Sequence, residues 1–182
     1  MKEIIEESEI LAMLASEQTK RKAFSWIMKT YQQKMYYHIR KMLINHDDTD
    51  DVLQNTFLKA WLHIASFRGE SSLSTWLYRI ATNETLDFLR SKKQTNEYVD
   101  IEDTLALSLQ DTSYFSGNEI ELKLQKAILL LPEKQRLVFN MKYFDDITYE
   151  QMSEILETSV GALKASYHLA TKKIEKLILL MD

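Results

Sequence analysis

The chain has 182 residues, 45% apolar and 27% charged, so it can bury a core but is too small for more than two compact domains. With only three glycines and one proline, which tight hairpins require, it favours an all-helical fold over a β-rich one. The absence of cysteine excludes disulfides and thiol catalysis and fits a reducing cytoplasm. The longest apolar runs, residues 127–131 and 177–181, are far shorter than the roughly 20 residues of a membrane span, and the N-terminus is acidic rather than signal-like.

The net charge of −4 conceals a segregated charge distribution. Seven Lys or Arg and no acid occur between residues 18 and 46, whereas seven acids and no base occur between residues 94 and 121. The acidic stretch is also rich in Asn, Ser and Thr, which is typical of a linker. The sequence therefore predicts an all-α fold of two small helical domains, residues 1–93 and 119–182, joined by an acidic flexible linker over residues 94–118.

Three helices are predicted in the first domain from apolar residues three and four positions apart. The first helix carries Phe24, Ile27, Met28, Tyr31, Met35, Ile39 and Met42. The second begins within residues 46–49, where short polar side chains can cap it, and its apolar stripe comprises Leu53, Phe57, Ala60, Trp61 and Ile64. A loop over residues 67–72 precedes the third helix. The polar face of that helix, opposite Trp76 and Ile80, carries Arg79, Asn83, Asp87 and Arg90, followed by Lys92 and Lys93.

The second domain ends in a predicted helix-turn-helix. A helix over residues 119–130 is followed by Pro132, which suits the first turn of the next helix. Thr148 and Gln151 then form a capping box for a short helix that ends near Leu156. After a three-residue break, Ser159 caps a longer basic helix. This pattern is typical of DNA-binding proteins, but because similar helix pairs occur in bundles that never bind DNA, it leaves DNA binding open.

Four segments of the chain carry a resemblance to a known family. They are residues 50–61, which run Asp-Asp-Val-Leu-Gln-Asn-Thr-Phe-Leu-Lys-Ala-Trp, residues 67–83, residues 131–136, and the helix-turn-helix through Lys173. In order and spacing they resemble the extracytoplasmic-function (ECF) sigma factors, the initiation subunits of bacterial RNA polymerase. The resemblance covers nearly the whole chain apart from the first 20 or so residues and the linker.

The resemblance implies where the first domain binds its partners. The acidic second helix would dock on core RNA polymerase through Asp50, Asp51, Gln54 and Phe57. The loop and third helix would recognise and melt the minus-ten promoter element through Phe67, Arg68, Ser71, Arg79, Asn83, Arg90, Lys92 and Lys93. Chemistry supports this division, since Asn can read a base edge whereas Arg and Lys mainly neutralise phosphate.

By the same resemblance, the last helix would enter the major groove of the minus-thirty-five element. The residues expected to contact DNA there are Ser159, Lys164, Ser166, Tyr167, His168, Lys172 and Lys173. Many family members have arginine where this chain has Ser166, Leu169 and Thr171, so DNA shape is expected to contribute more to recognition here. The acidic linker would lie in the positively charged channel of the polymerase, and an anti-sigma factor is left open as a further partner.

Other interpretations remain at this stage. The acids around residue 50 could simply cap a helix, and the basic residues 20–41 fit a solvated face as well as a partner contact. The rival function is a stand-alone helix-turn-helix regulator. An enzyme is not expected, because the chain has no phosphate-binding glycine-rich loop and no pairing of a nucleophile or carboxylate with His. The four histidines are not spaced as ligands, so no metal and no other cofactor is predicted.

Overall fold

The computed structural model describes residues 7–94 and 119–181, called here the N-terminal half and the C-terminal half. The N-terminal half comprises α1 (Glu7–Leu14), α2 (Glu17–Leu43), α3 (His46–His63), a 3-10 turn (Ile64–Ser66) and α4 (Leu73–Gln94). The C-terminal half comprises α5 (Glu119–Leu129), α6 (Glu133–Tyr143), α7 (Tyr149–Leu156) and α8 (Val160–Leu179). The all-helical prediction is confirmed, since these two ranges contain no strand. Apart from Gln94, the predicted linker lies outside the described residues.

The core of the N-terminal half forms along one side of α2. Ile27, Met35 and Ile39 are completely buried there, as the periodicity predicts. Met28 was predicted to share that face, but its side chain is 37% exposed. The prediction is wrong at this position because consecutive helical residues are about 100° apart around the axis, and Ile27 occupies the buried direction.

The ends of the helices carry side-chain caps that satisfy free backbone N–H groups. Asn45 caps α3, its Oδ1 accepting from the backbone N–H of Asp48 at 3.0 Å. Before α7, the predicted capping box of Thr148 and Gln151 is present. Ser159 caps α8 as predicted, its hydroxyl accepting from the N–H of Ala162 at 3.3 Å. The caps formed by Thr148, Gln151 and Ser159 fix where the two helices of the helix-turn-helix begin.

The C-terminal half differs from the sequence prediction at Pro132, and its turn between α7 and α8 has an unusual backbone conformation. Pro132 is the N-cap of α6 rather than a residue of its first turn. The turn between α7 and α8 has no glycine, and Glu157 adopts the left-handed conformation there, with φ of 50°. A non-glycine residue at positive φ is uncommon, so this turn keeps its shape at some cost in backbone strain.

The two halves pack directly against each other. α6 contacts α2, and α7 contacts α4. Buried residues of the C-terminal half, among them Met141, Met152 and Ile155, belong to the same apolar cluster as the core of the N-terminal half. A second cluster, with Phe139 and Ala170, lies within the C-terminal half alone. Among the described residues, no helix is long and apolar enough to cross a membrane.

Candidate nucleic-acid interface

The first part of α3 presents an acidic surface. Asp51 and Gln54 are exposed, and Asp50 is half-exposed, with its carboxylate 3.7 Å from Nδ1 of His46. Phe57, in contrast, is only 5% exposed and meets the ring of Phe24 edge to face. The side chain is therefore part of the core on which α3 rests, and a partner contact by Phe57 stays a prediction.

Two leucines extend the exposed surface of α3. Leu58 and Leu62 are both exposed, one and two helical turns after Gln54. The sequence interpretation did not select them, although apolar residues four positions apart on a polar helix face were a usable signal. The exposed side of α3 thus continues from carboxylates into an apolar patch, and both parts are free for a partner to contact.

The polar face of α4 borders a groove shared with α3. The groove has a volume of about 410 Å³, and its lining includes Lys59, His63, Asn83, Asp87 and Arg90. Asn83 is exposed at this groove, which leaves its amide available as both donor and acceptor. Arg90 forms an ion pair with Asp87 at 2.9 Å, and this exposed pair would exchange readily for a phosphate contact.

Arg79, which was predicted to contact the minus-ten element, is not fully exposed. The residue is half-buried, and its Nε is buried without a hydrogen-bond partner among the described residues. A buried donor without a hydrogen bond destabilises the protein. A ligand acceptor that bonded to Nε of Arg79 would therefore be stabilising. The position is consistent with a group that is completed by a ligand.

The loop between the 3-10 turn and α4 is held by α1. Gly69 has φ of 72°, a conformation that favours glycine, and a side chain placed there would come within 3.7 Å of Leu11 on α1. Phe67 is half-buried against Trp76, with the two ring centroids 5.2 Å apart. Arg68 is exposed and Ser71 is half-exposed. Glu70 and Ser72 of the same loop are also exposed, so the loop offers several polar groups besides Arg68 and Ser71.

Two lysines at the end of α4 are paired. Nζ of Lys92 lies 2.6 Å from a carboxylate oxygen of Asp48 on α3. Nζ of Lys93 lies 2.5 Å from a carboxylate oxygen of Glu133, which belongs to the C-terminal half. Both lysines were predicted to contact phosphate. In this conformation each must exchange a carboxylate for that contact, and Lys93 must separate from the other half of the chain.

α8, the second helix of the helix-turn-helix, presents a basic face with Lys164, His168, Lys172 and Lys173 exposed. Ser166 is half-buried, and the hydroxyl of Ser159 is used in capping. Tyr167 stacks on Phe139 at 5.7 Å between ring centroids and meets Tyr149 edge to face. Tyr167 is therefore half-buried against Phe139 and Tyr149, and its contact with bases stays a prediction.

Lys142 is a basic residue near this face that sequence reasoning missed. Its Nζ lies 5.6 Å from the centre of the Tyr149 ring, and Nζ of Lys164 lies 5.7 Å from the same ring. Cation–π attraction holds both ammonium groups near the aromatic ring. No sequence signal identified Lys142, because it lies on α6 and shares the Tyr149 ring with Lys164 only through the tertiary fold.

Two of the histidines are bonded to protein side chains. No group of three or more potential metal ligands occurs within residues 7–94 and 119–181. His38 is buried, and its two ring nitrogens are bonded to Asp145 and Thr82. His46 bonds through Nδ1 to the hydroxyl of Tyr36 at 2.9 Å.

Two family descriptions match separate parts of the chain. The family description "Sigma-70 region 2" matches residues 27–95, and "Sigma-70, region 4" matches residues 121–174. The chain is 34% identical over 165 residues to the ECF RNA polymerase sigma factor SigW of Bacillus subtilis, covering 85% of this chain and 88% of that protein. It is 29% identical over 172 residues to the ECF RNA polymerase sigma-E factor of Haemophilus influenzae, covering 89% of this chain and 90% of that protein.

Solved structures show the same fold at lower identity. The sigma factor RpoE of Bartonella quintana, in complex with the anti-sigma factor NepR, matches with a TM-score of 0.68 at 21% identity, covering 86% of this chain and 97% of that chain. CnrH, in complex with the cytosolic domain of CnrY, matches with a TM-score of 0.71 at 19% identity, covering 97% of this chain and 99% of that chain.

Two regions of the sigma-70 class in this order define the chain as a sigma factor. More particularly, it belongs to the ECF RNA polymerase sigma factors. Its function is to bind core RNA polymerase and direct the enzyme to promoters, and the alternative of a stand-alone regulator is set aside.

Proposed function

We propose that the two domains divide promoter recognition between them. Residues 1–93 would bind core polymerase and the minus-ten element, and residues 119–182 would bind the minus-thirty-five element, with residues 94–118 as the acidic connection. The observation that carries this assignment is the adjacency of two different exposed surfaces in the N-terminal half. The acidic side of α3 and the Asn83 face of α4 lie on neighbouring helices, so one domain could contact polymerase and DNA together.

Docking on core polymerase would use the exposed surface of α3. Asp50, Asp51 and Gln54 are the residues that the family resemblance selects, and Leu58 and Leu62 replace Phe57 as accessible apolar contacts. Carboxylates beside exposed apolar side chains suit a protein partner with a basic rim around an apolar centre. They do not suit DNA, whose phosphates would repel them.

Minus-ten recognition would combine base contacts with phosphate contacts. Asn83 has an exposed amide suited to reading a base edge, whereas Arg90 would neutralise phosphate. Arg68 and Ser71 would contact an unstacked base, together with the half-buried ring of Phe67, which packs against Trp76. Lys92 and Lys93 would join the phosphate contacts once they leave Asp48 and Glu133.

Minus-thirty-five recognition would use the exposed face of α8. Lys164 and His168 lie in its first half, the part of a recognition helix that usually enters the major groove. Lys172 and Lys173 lie farther along the helix and are expected to bind backbone phosphate. Lys142 would add a contact from α6, beside Lys164.

We also propose that the chain acts in the cytoplasm, without a catalytic site or a cofactor of its own, and that an anti-sigma factor is one of its partners. Two structural neighbours named above are described as bound to such proteins or to a cytosolic domain, which supports this partner class. The family itself consists of initiation subunits, whose chemistry is carried out by the polymerase.

The docking assignment is tested by reversing charge on α3. Asp51→Lys should weaken binding to core polymerase by at least about tenfold, because it places a cation against a basic partner surface. A pull-down with purified core enzyme measures this, and Glu9→Lys on α1 is the matched control with the same charge change. Undiminished binding by the Asp50→Lys/Asp51→Lys double variant would contradict the assignment, provided circular dichroism shows intact helices.

A further inference from the structure

The first helix of the chain, α1, contacts the loop to which the proposed function assigns an unstacked base. This loop, residues 67–72, connects the 3-10 turn to α4 and is called here the base loop. The carboxylate of Glu7 on α1 accepts from the backbone N–H of Leu73, immediately after the base loop, at 2.6 Å. Cδ1 of Leu11, one turn later on α1, lies 3.7 Å from the position of a β-carbon at Gly69, in the middle of the base loop. One helix therefore contacts both the middle and the end of the base loop.

The helix that makes these contacts is itself fixed to the core of the N-terminal half. Ile10 is only 2% exposed, and Met13 packs against the same core. The hydroxyl of Thr19 on α2 donates to the backbone carbonyl of Met13 at 2.6 Å. Burial raises the pKa of Tyr31 on α2, and the negative charge of Glu7 raises it further, so this carboxylate lies close to α2 as well as to α4. The base loop is therefore contacted by a helix that is packed in place.

The bond from Glu7 supplies an acceptor that α4 cannot supply itself. The first N–H groups of a helix have no acceptor within the helix, and Leu73 is the first residue of α4. Glu7 accepts from the N–H of Leu73, and the hydroxyl of Ser72 accepts from the N–H of Thr75 at 3.1 Å. A carboxylate suits this position because the N-terminus of a helix carries a partial positive charge. The start of α4, and with it the end of the base loop, therefore depends on α1.

The middle of the base loop faces solvent. Residues 68–70 are exposed and Ser71 is half-exposed, whereas Phe67 at the beginning of the loop packs against Trp76. Gly69 has φ of 72°, and a glycine can leave such a conformation for many others because it has no β-carbon. Without the contacts from α1, the exposed residues would therefore lose the single arrangement that the structure shows.

This contacting helix lies outside the parts of the chain that match a sigma-70 region. The match to "Sigma-70 region 2" begins at residue 27 and includes the base loop and most of α4, whereas α1 ends at Leu14. The family pattern therefore selects residues that would contact the promoter. The contacts of Glu7 and Leu11 with the base loop come only from the tertiary fold.

We propose that Glu7 and Leu11 are positioning residues for minus-ten recognition, through which α1 keeps the base loop in the conformation that discriminates between bases. This inference rests on the proposed role of the base loop in binding an unstacked base. A loop that is already in its binding conformation loses less conformational freedom when it binds. It therefore favours the base that fits this one conformation, whereas a loosened loop would bind different bases with similar affinity.

Base preference of the holoenzyme, measured by transcription from a randomised minus-ten library, tests the positioning role. The position that the base loop reads is identified as the one whose preference changes in Arg68→Ala/Ser71→Ala. At that position Glu7→Ala should lower the ratio between the preferred base and the others by about threefold to tenfold, the range set by the net free energy of one hydrogen bond. Leu11→Ala should act in the same direction. The position whose preference changes in Asn83→Ala should stay unaffected, because α4 also packs against α3.

Matched variants separate positioning from general damage. Glu7→Gln keeps an acceptor oxygen and should retain most of the preference, whereas Glu9→Ala removes the same charge from an exposed position of α1 and should retain all of it. Glu7→Ala added to Arg68→Ala/Ser71→Ala should lower the preference no further, because Glu7 acts through the base loop. A protein that was merely less stable would lose activity on all promoters equally and keep its base profile.

Amide hydrogen exchange in the free protein tests the contact without polymerase or DNA. The N–H of Leu73 should be protected in the unaltered chain and should exchange at least about tenfold faster in Glu7→Ala, since its acceptor is lost. The N–H of Leu77, which has an acceptor within α4, should keep its protection.

The results that would overturn the proposal are distinct from those that would overturn the proposed function. Equal exchange of Leu73 with and without Glu7, or an unchanged base profile in Glu7→Ala, would overturn the proposal, and an unchanged profile in Leu11→Ala would overturn the part that concerns Leu11. If Arg68→Ala/Ser71→Ala left the profile unchanged, the proposed role of the base loop would fail and the inference with it. If that variant changed the profile and the α1 variants did not, the inference alone would fail.

Discussion

At the scale of single residues, Asn83 is the side chain that we propose reads a promoter base. It is exposed on the groove side of α4, whereas its neighbours one turn away are half-buried or ion-paired. An amide that donates and accepts at once discriminates between bases, and a guanidinium bound to phosphate does not. Substituting Asn83 should therefore change the base preference, whereas substituting Arg90 should not.

We expect Asn83→Ala to relax the preference at one minus-ten position by roughly 1–3 kcal/mol. Affinity for core polymerase should stay the same, since α3 is untouched. Arg90→Ala is the comparison variant and should weaken all promoters about equally. Transcription by the holoenzyme from a randomised minus-ten library measures both effects. A base profile identical to that of the unaltered protein would remove Asn83 from the reading face.

Glu7 is a residue whose role depends entirely on the tertiary fold. Its carboxylate accepts from the backbone N–H of Leu73 at 2.6 Å, at the first residue of α4 and 66 positions away in the chain. The hydroxyl of Ser72 accepts from the N–H of Thr75 at 3.1 Å in the same turn. Two separate groups thus satisfy the start of the helix that carries Asn83.

Glu7→Ala should lower the free energy of unfolding by about 1 kcal/mol, the usual effect of losing a helix cap. Glu7→Gln keeps an acceptor oxygen and should lose less. Urea denaturation of the two variants, followed by far-UV circular dichroism, makes the comparison. Equal stability of Glu7→Ala and the unaltered protein would mean that the bond does not contribute to holding α4.

At the scale of elements, the sequence was informative where the controlling contacts are local. The capping box at α7 joins residues three positions apart, and Ser159 caps the helix that immediately follows it. The bond between Glu7 and Leu73 and the bond between His38 and Asp145 join residues 66 and 107 positions apart, so no spacing rule indicates them. Local chemistry fixes the ends of helices, while tertiary packing decides which helices meet.

The residues of the candidate site also divide into those that local sequence predicts and those that tertiary packing decides. The exposed positions Asp51, Gln54 and Asn83 could be predicted because a helix has a definite polar side. Phe57 carries both a family pattern and an apolar periodicity, and its ring is buried in the core, whereas Tyr167 is half-buried against Phe139. Lys142 joins Lys164 only because α6 and α8 bring them to the same tyrosine.

The basic residues of the helix-turn-helix should differ in what they contribute to DNA binding. Lys142→Ala and Lys172→Ala should each weaken holoenzyme binding to every promoter and reduce the salt slope by about 0.9, the share of one phosphate contact. Lys164→Ala should instead change which minus-thirty-five sequence is preferred. Titrations against a randomised minus-thirty-five library at several salt concentrations separate the two behaviours. A Lys164→Ala variant that loses affinity uniformly would indicate that α8 positions the protein without reading sequence.

At the scale of the whole molecule, charge and packing act in the same direction. The net charge of −4 opposes binding of the free chain to DNA, and in this structure Lys93 is paired with Glu133 of the other half. Both features favour a protein that acquires promoter affinity only together with core polymerase.

The most direct test of the central claim is run-off transcription with purified components. Core polymerase and this chain together should initiate at a defined subset of sequences from a random promoter library, whereas core polymerase alone should not. The chain alone should bind the selected promoters only weakly at physiological salt. Selected initiation that depends on the added chain is the result predicted here. Initiation that is the same with and without the chain, or a tight sequence-specific complex formed by the chain alone, would contradict the account.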